Sequence, residues 1–111
     1  MTLELALVER LREITRGRPA TESELRTLAD QAGGWERAVA AQLHAAEARL
    51  AKLNSDPASP LSAMAVEIRR VESLTSELRE AEMLLEQLEQ RTRELRTEWL
   101  KARAEAKPPL S

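Results

Sequence analysis

His44 and Glu47 are the pair in this chain with metal-ligand spacing: three residues apart, they share a helix face. A carboxylate-bridged metal centre in a helix bundle needs several such groups, including a second Glu/His pair. The sequence has one histidine, so no second pair forms and a solvated helix-face role is expected. His44 is also the sole imidazole base, which leaves Ser and Thr side chains without a triad of their own. Cysteine is absent, removing disulfides, thiolate metal sites and cysteine nucleophiles. Gly33-Gly34 is followed by Trp35 and Glu36 and follows no strand pattern, so it does not read as a phosphate-binding loop. Paired carboxylates occur as on any solvated helix and carry no specificity. The expectation is a protein with no catalytic residue, no metal and no cofactor.

Recognition chemistry is better represented. Arg10, Arg12, Arg16 and Arg18 cluster early in the chain, and Arg91, Arg93 and Arg96 cluster late. Brought together they would form a basic patch. Glu9, Glu13, Glu94 and Glu98 interleave with them, and no aromatic platform accompanies them. Ordinary helix-surface pairing, such as Glu89 with Arg93, is the expected use of these charges, and nucleic acid is not the expected partner. Trp35 and Trp99 are the only aromatic residues. Both fall on apolar seams; Trp99, near the end of its helix, is also a candidate binding anchor.

These residues must be positioned by helices. Val71, Leu74, Leu78, Ala81, Leu85, Leu88, Thr92, Leu95, Trp99 and Ala102 alternate in steps of three and four. That is an a/d heptad, in a stretch without Gly or Pro, and its seam must meet another helix. β-branched residues are sparse, and no segment alternates as a half-buried strand would. The predicted class is all-α: an antiparallel long-helix, coiled-coil-like hairpin, with a short N-terminal helix packed as a third helix at one end.

The chain has 111 residues, read as a single helical domain over 1–111. The first helix is predicted over 2–16, with Thr2 as a cap, Gly17 as a stop and Pro19 just beyond. The second is predicted over 21–53, opened by a Thr21/Glu24 capping box. Its apolar stripe is Leu25, Leu28, Ala32, Trp35, Val39, Leu43, Ala46, Leu50 and Leu53, with a stutter at Val39. Gly33-Gly34 sits before the stutter and marks a possible kink at 33–34. Residues 54–60 read as a turn, with Ser59 as N-cap and Pro60 as first helical residue. The long helix is predicted over 60–105, about 69 Å at 1.5 Å per residue, followed by a frayed tail over 106–111. Leu84 beside Leu85 widens the seam, as a third helix would require.

Charge is unevenly spread along that long helix. Glu72, Glu77, Glu80, Glu82, Glu86 and Glu89 face only Arg79 in residues 72–90. Arg91, Arg93, Arg96, Lys101, Arg103 and Lys107 outnumber Glu94, Glu98 and Glu105 in residues 91–107. Basic residues at a C-terminus suit the helix dipole; the alternative is electrostatic registration of a partner helix. The net charge of −2 favours neither nucleic acid nor an anionic membrane. No apolar run approaches a membrane span, and charged residues interrupt the apolar N-terminus, so a cytoplasmic location is expected.

The segment Ile14-Thr15-Arg16-Gly17-Arg18-Pro19, between a short helix and a long one, resembles the Leu-Thr-Arg-Gly-Leu-Pro stretch of the TraM-type quorum-sensing antiactivators. Those are small helical homodimers that sequester a transcription factor. The likeness spans six residues, departs at Arg18 and carries no functional residue over. In architecture alone the plan is also similar to secretion-apparatus stalk proteins and small helical chaperones.

The functional expectation is a non-enzymatic helical interaction or scaffold protein, acting by homo-oligomerisation or helix docking. A homodimer is expected first, with a protein partner of other identity also possible and no membrane partner. Candidate interface residues are Leu78, Leu84, Leu85, Leu88, Leu95 and Trp99. A small regulatory inhibitor is the alternative reading, and a nucleic-acid-associated accessory protein the second alternative.

Overall fold

The computed structural model describes residues 3–106, and these are almost wholly helical, with no strand among them. Three helices follow in order: α1 (Leu3–Thr15), α2 (Glu22–Ser55) and α3 (Leu61–Ala106). The expected Thr2 cap and the fraying of residues 107–111 lie outside the described residues.

Each helix end has a local cause. Gly17 adopts a positive φ of 107°, a conformation that favours glycine. There its amide donates to the Ile14 carbonyl at 3.1 Å, and the Arg18 amide donates to the Glu13 carbonyl at 3.2 Å. This pattern satisfies carbonyls left over at the end of α1. Thr21 caps α2: the Glu24 amide donates to Thr21 Oγ1 at 3.1 Å. The reciprocal half of the capping box does not form, because the Glu24 carboxylate turns to Arg10 on α1 instead. At the turn, the Ala58 amide donates to Asp56 Oδ1 at 3.0 Å, an Asx turn. The Pro60 carbonyl accepts from Ala63 and Met64. Pro60 thus stands at the cap, one residue before the first helical position expected for it. Helix α2 runs through Gly33-Gly34 without interruption.

The chain divides into two compact units. Unit 1 takes the residues up to Asp30 and those from Leu84 onward; unit 2 is Gln31–Met83. Unit 1 buries Leu7, Val8, Leu11 and Ile14 of α1, Leu25 and Leu28 of α2, and Leu84, Leu88 and Leu95 of α3. Burying each such side chain is worth about 1.5–3 kcal/mol. The buried arc of α3 there is turned toward Leu84: Leu85 is half-buried and Trp99 remains 36% exposed. Both the turn that ends α1 and the start of α2 reach α3 in this unit, through Arg91 to Gly17 and Arg96 to Glu22. Two neighbours cover a wider arc than a single a/d seam.

Unit 2 has α2 and α3 facing each other across the turn. Its buried side chains are Ala32, Trp35, Val39, Ala46, Ala81 and one charged residue, Glu67. No helix among the described residues is long and apolar enough to cross a membrane.

Candidate helix-docking surface

Unit 2 leaves its apolar seam half covered. Leu43, Leu50 and Leu53 of α2 and Met64, Val71, Leu74 and Leu78 of α3 are all only partly buried. Two helices cannot enclose a seam from both sides, and it is the small Ala46, not a leucine, that is fully buried there. Val66 at 48% and Ile68 at 42% exposure add apolar surface on α3.

Glu67 sits inside this seam. It lies four residues before Val71, so it extends the heptad backward as a d position. Its Oε1 accepts from Arg49 Nε at 3.2 Å and from Arg70 Nη1 at 3.4 Å. Its Oε2 is buried without a partner among the described residues. Starting the heptad at Val71 missed Glu67. The signal was available: Met64 and Glu67 continue the three-four spacing, but a carboxylate does not register as a seam residue when only apolar types are counted.

Beside Glu67 runs a groove of about 620 Å³, lined by Gln42, Ala45 and Arg49 of α2 and by Arg69, Arg70, Ser73 and Leu74 of α3. Three arginines therefore line the groove, and two of them, Arg49 and Arg70, pair with Glu67. Arg69 has no hydrogen-bond or ion-pair partner among the described residues.

The expected interface residues are divided by this fold. Leu84, Leu88 and Leu95 are 2%, 1% and 5% exposed in unit 1; they pack within the chain, so an assembly face cannot use them without opening that unit. Leu78 and Leu85 are half-buried and Trp99 is exposed. From Arg96 to Ala106 every residue of α3 is exposed, including Leu100 at 66%. Trp35, by contrast, is buried, with its Nε1 lacking an acceptor among the described residues.

The arginines of the expected basic patch all fall in unit 1, and most are engaged. Arg10 pairs with Glu24 and Glu13, and Arg18 also pairs with Glu13. Arg91 lies 3.6 Å from Glu94 and donates to the Gly17 carbonyl at 3.4 Å. Arg96 reaches Glu22 at 3.3 Å. Arg93 donates to Gln90 at 2.8 Å rather than to Glu89 as expected. Arg12 is also engaged, while the Arg16 side chain has no partner among the described residues. The hydrogen bond from Arg10, joined by that from Arg18, holds the Glu13 carboxyl below its ordinary range. Glu24 and Glu13 raise the Arg10 guanidinium in turn. Charges neutralised in this way offer little field to a phosphate backbone.

Among the described residues no group of three or more His, Cys, Asp or Glu side chains is placed to hold a metal ion, and His44 is exposed. The chain matches no family model, no curated protein and no solved structure.

Proposed function

We propose that this chain is a non-enzymatic helical interaction protein that works by self-association, with α2 and α3 forming an antiparallel coiled-coil-like hairpin and α1 a third helix at one end. The observation that carries this reading is the contrast between the two units. Unit 1 buries Leu11, Ile14, Leu84 and Leu88 to 2% exposure or less, whereas every leucine of unit 2 along the seam remains partly wet. Apolar surface of this kind, set in a helical ribbon, is covered when a second ribbon packs against it as a four-helix bundle. A homodimer is the smallest assembly that achieves this. Sedimentation equilibrium over a concentration series tests it: a dimer is expected, and a monomer at every concentration sinks the reading.

A second reading, a small regulatory inhibitor that masks another protein, rests on a separate observation. Trp99 and Leu100 stand exposed on the last turns of α3, and exposed tryptophan is a frequent interface anchor. Competition for this turn by a partner, followed by Trp99 emission, separates the two readings.

A further inference from the structure

Self-association can use several faces of unit 2, and the placement of charge on α3 selects one. Arg70 and Glu77 are seven residues apart. They therefore share a helix face, about 10.5 Å apart along the axis. Ser73 and Leu74 lie midway between them. Arg70, Ser73 and Leu74 line the groove whose other wall is Gln42, Ala45 and Arg49. Glu67 orients Arg49 and Arg70 through one shared oxygen, and each guanidinium keeps further N–H donors. Glu77 is half-buried and has no hydrogen-bond or ion-pair partner among the described residues.

We propose that a second copy docks antiparallel on this face of unit 2, about a twofold axis beside Ser73 and Leu74, so that each Glu77 carboxylate enters the other copy's groove and is bound by Arg70 and Arg49. The inference rests on the self-association reading and names its surface. An isologous interface must be its own complement. A twofold axis midway between Arg70 and Glu77 exchanges the two positions, so both Arg70–Glu77 pairs form at once. A parallel alignment in register stacks Arg70 on Arg70 and Glu77 on Glu77. The groove favours a carboxylate because its lining holds Arg49, Arg69 and Arg70 and no acidic side chain, and guanidinium forks match carboxylate geometry. The same docking covers Leu74, which is half exposed at the axis. The groove carries no aromatic side chain on which a nucleic-acid base could stack.

Charge exchange tests the arrangement on the full chain. The self-affinity of Glu77→Lys and of Arg70→Glu, each alone, is expected to fall by roughly tenfold or more, because each sets like charges together. An equimolar mixture of the two is expected to associate again, since both pairs in the mixed dimer are then opposite in sign. Circular dichroism checks that each variant keeps its helices; Glu77 has no partner to lose among the described residues. Wild-type association that survives Glu77→Lys unchanged, or a mixture that stays monomeric, overturns this face and leaves self-association standing. A wild-type chain that is monomeric throughout overturns both.

Discussion

Arg49 Nε donates to Glu67 Oε1 at 3.2 Å across the turn that joins α2 to α3. The carboxylate is nearly buried, and its second oxygen has no partner among the described residues. A buried carboxylate with half its acceptor capacity unused is held at a cost in stability. Replacing it by an apolar residue of similar size removes that cost. Glu67→Leu is therefore expected to raise the melting temperature. Arg49→Met strands the carboxylate with Arg70 alone and is expected to cost about 1–2 kcal/mol. Urea titrations of the two variants check both signs; a destabilised Glu67→Leu removes the argument.

The two units respond differently to truncation of leucine. Leu88 is 1% exposed in unit 1, and Leu88→Ala is expected to cost about 2–5 kcal/mol through lost burial and a residual cavity. Leu78, half-buried in unit 2, has less to lose within one chain. Leu78→Ala is expected to cost about 1–2 kcal/mol when measured well below the association range. The ordering of the two values is the check.

The helices were readable because their signals are local. Gly17, Thr21 and the run from Asn54 to Pro60 punctuate the chain, and the apolar heptad of α3 runs on from Val71 after them. The choice of buried face was not local. Leu84 is buried and Leu85 only half so, because which flank of a seam is covered depends on the neighbours that reach it. Glu67 escaped for a related reason: its ion pairs lie on Arg49, eighteen positions away, and on Arg70. Arg93 found Gln90 rather than Glu89, a rotamer choice that charge patterning does not resolve.

The three glycines separate conformational need from tolerance. Gly17, at φ 107°, holds a backbone that L side chains resist. Gly17→Ala is expected to destabilise unit 1 by about 1–2 kcal/mol. Gly34 is helical, and a Cβ there meets nothing within 4 Å. Gly34→Ala is expected to stabilise by about 0.5–1 kcal/mol. At Gly33 the nearest atom to a Cβ is Arg37 Nη1 at 3.3 Å, the mobile end of a long side chain that can move aside. Thermal melts of the alanine variants give the signs. A loss at Gly34 would indicate a bend that the unbroken helix needs there.

Acid sensitivity follows from Glu13. Its carboxyl is held below its ordinary range, first by the Arg10 hydrogen bond and then by Arg18. A depressed carboxylate contributes stability that is complete above the unfolded-state pKa of about 4.3. That contribution disappears as pH falls through the lower folded-state value. Arg10 remains charged throughout this window and adds no slope of its own. Arg10→Gln is expected to move the Glu13 titration upward, read from its carboxyl carbon by nuclear magnetic resonance. It should also flatten the loss of stability below about pH 4. An unmoved Glu13 titration assigns the depression to another cause.

Trp35 and Trp99 divide the emission of this protein between a buried and an exposed site. Trp35 is 8% exposed and Trp99 36%, so iodide is expected to quench two populations unequally. Trp99→Phe should remove the quenchable, red-shifted part and leave helicity intact, because α3 from Arg96 onward is exposed. Trp35→Phe should remove the protected part. It also deletes an N–H that is buried without an acceptor among the described residues, which offsets part of the packing lost with the larger ring. Equal quenching of the two tryptophans means that Trp99 is covered in solution. Since the α3 end has no cover among the described residues, that outcome transfers the docking surface from unit 2 to the turn carrying Trp99 and Leu100.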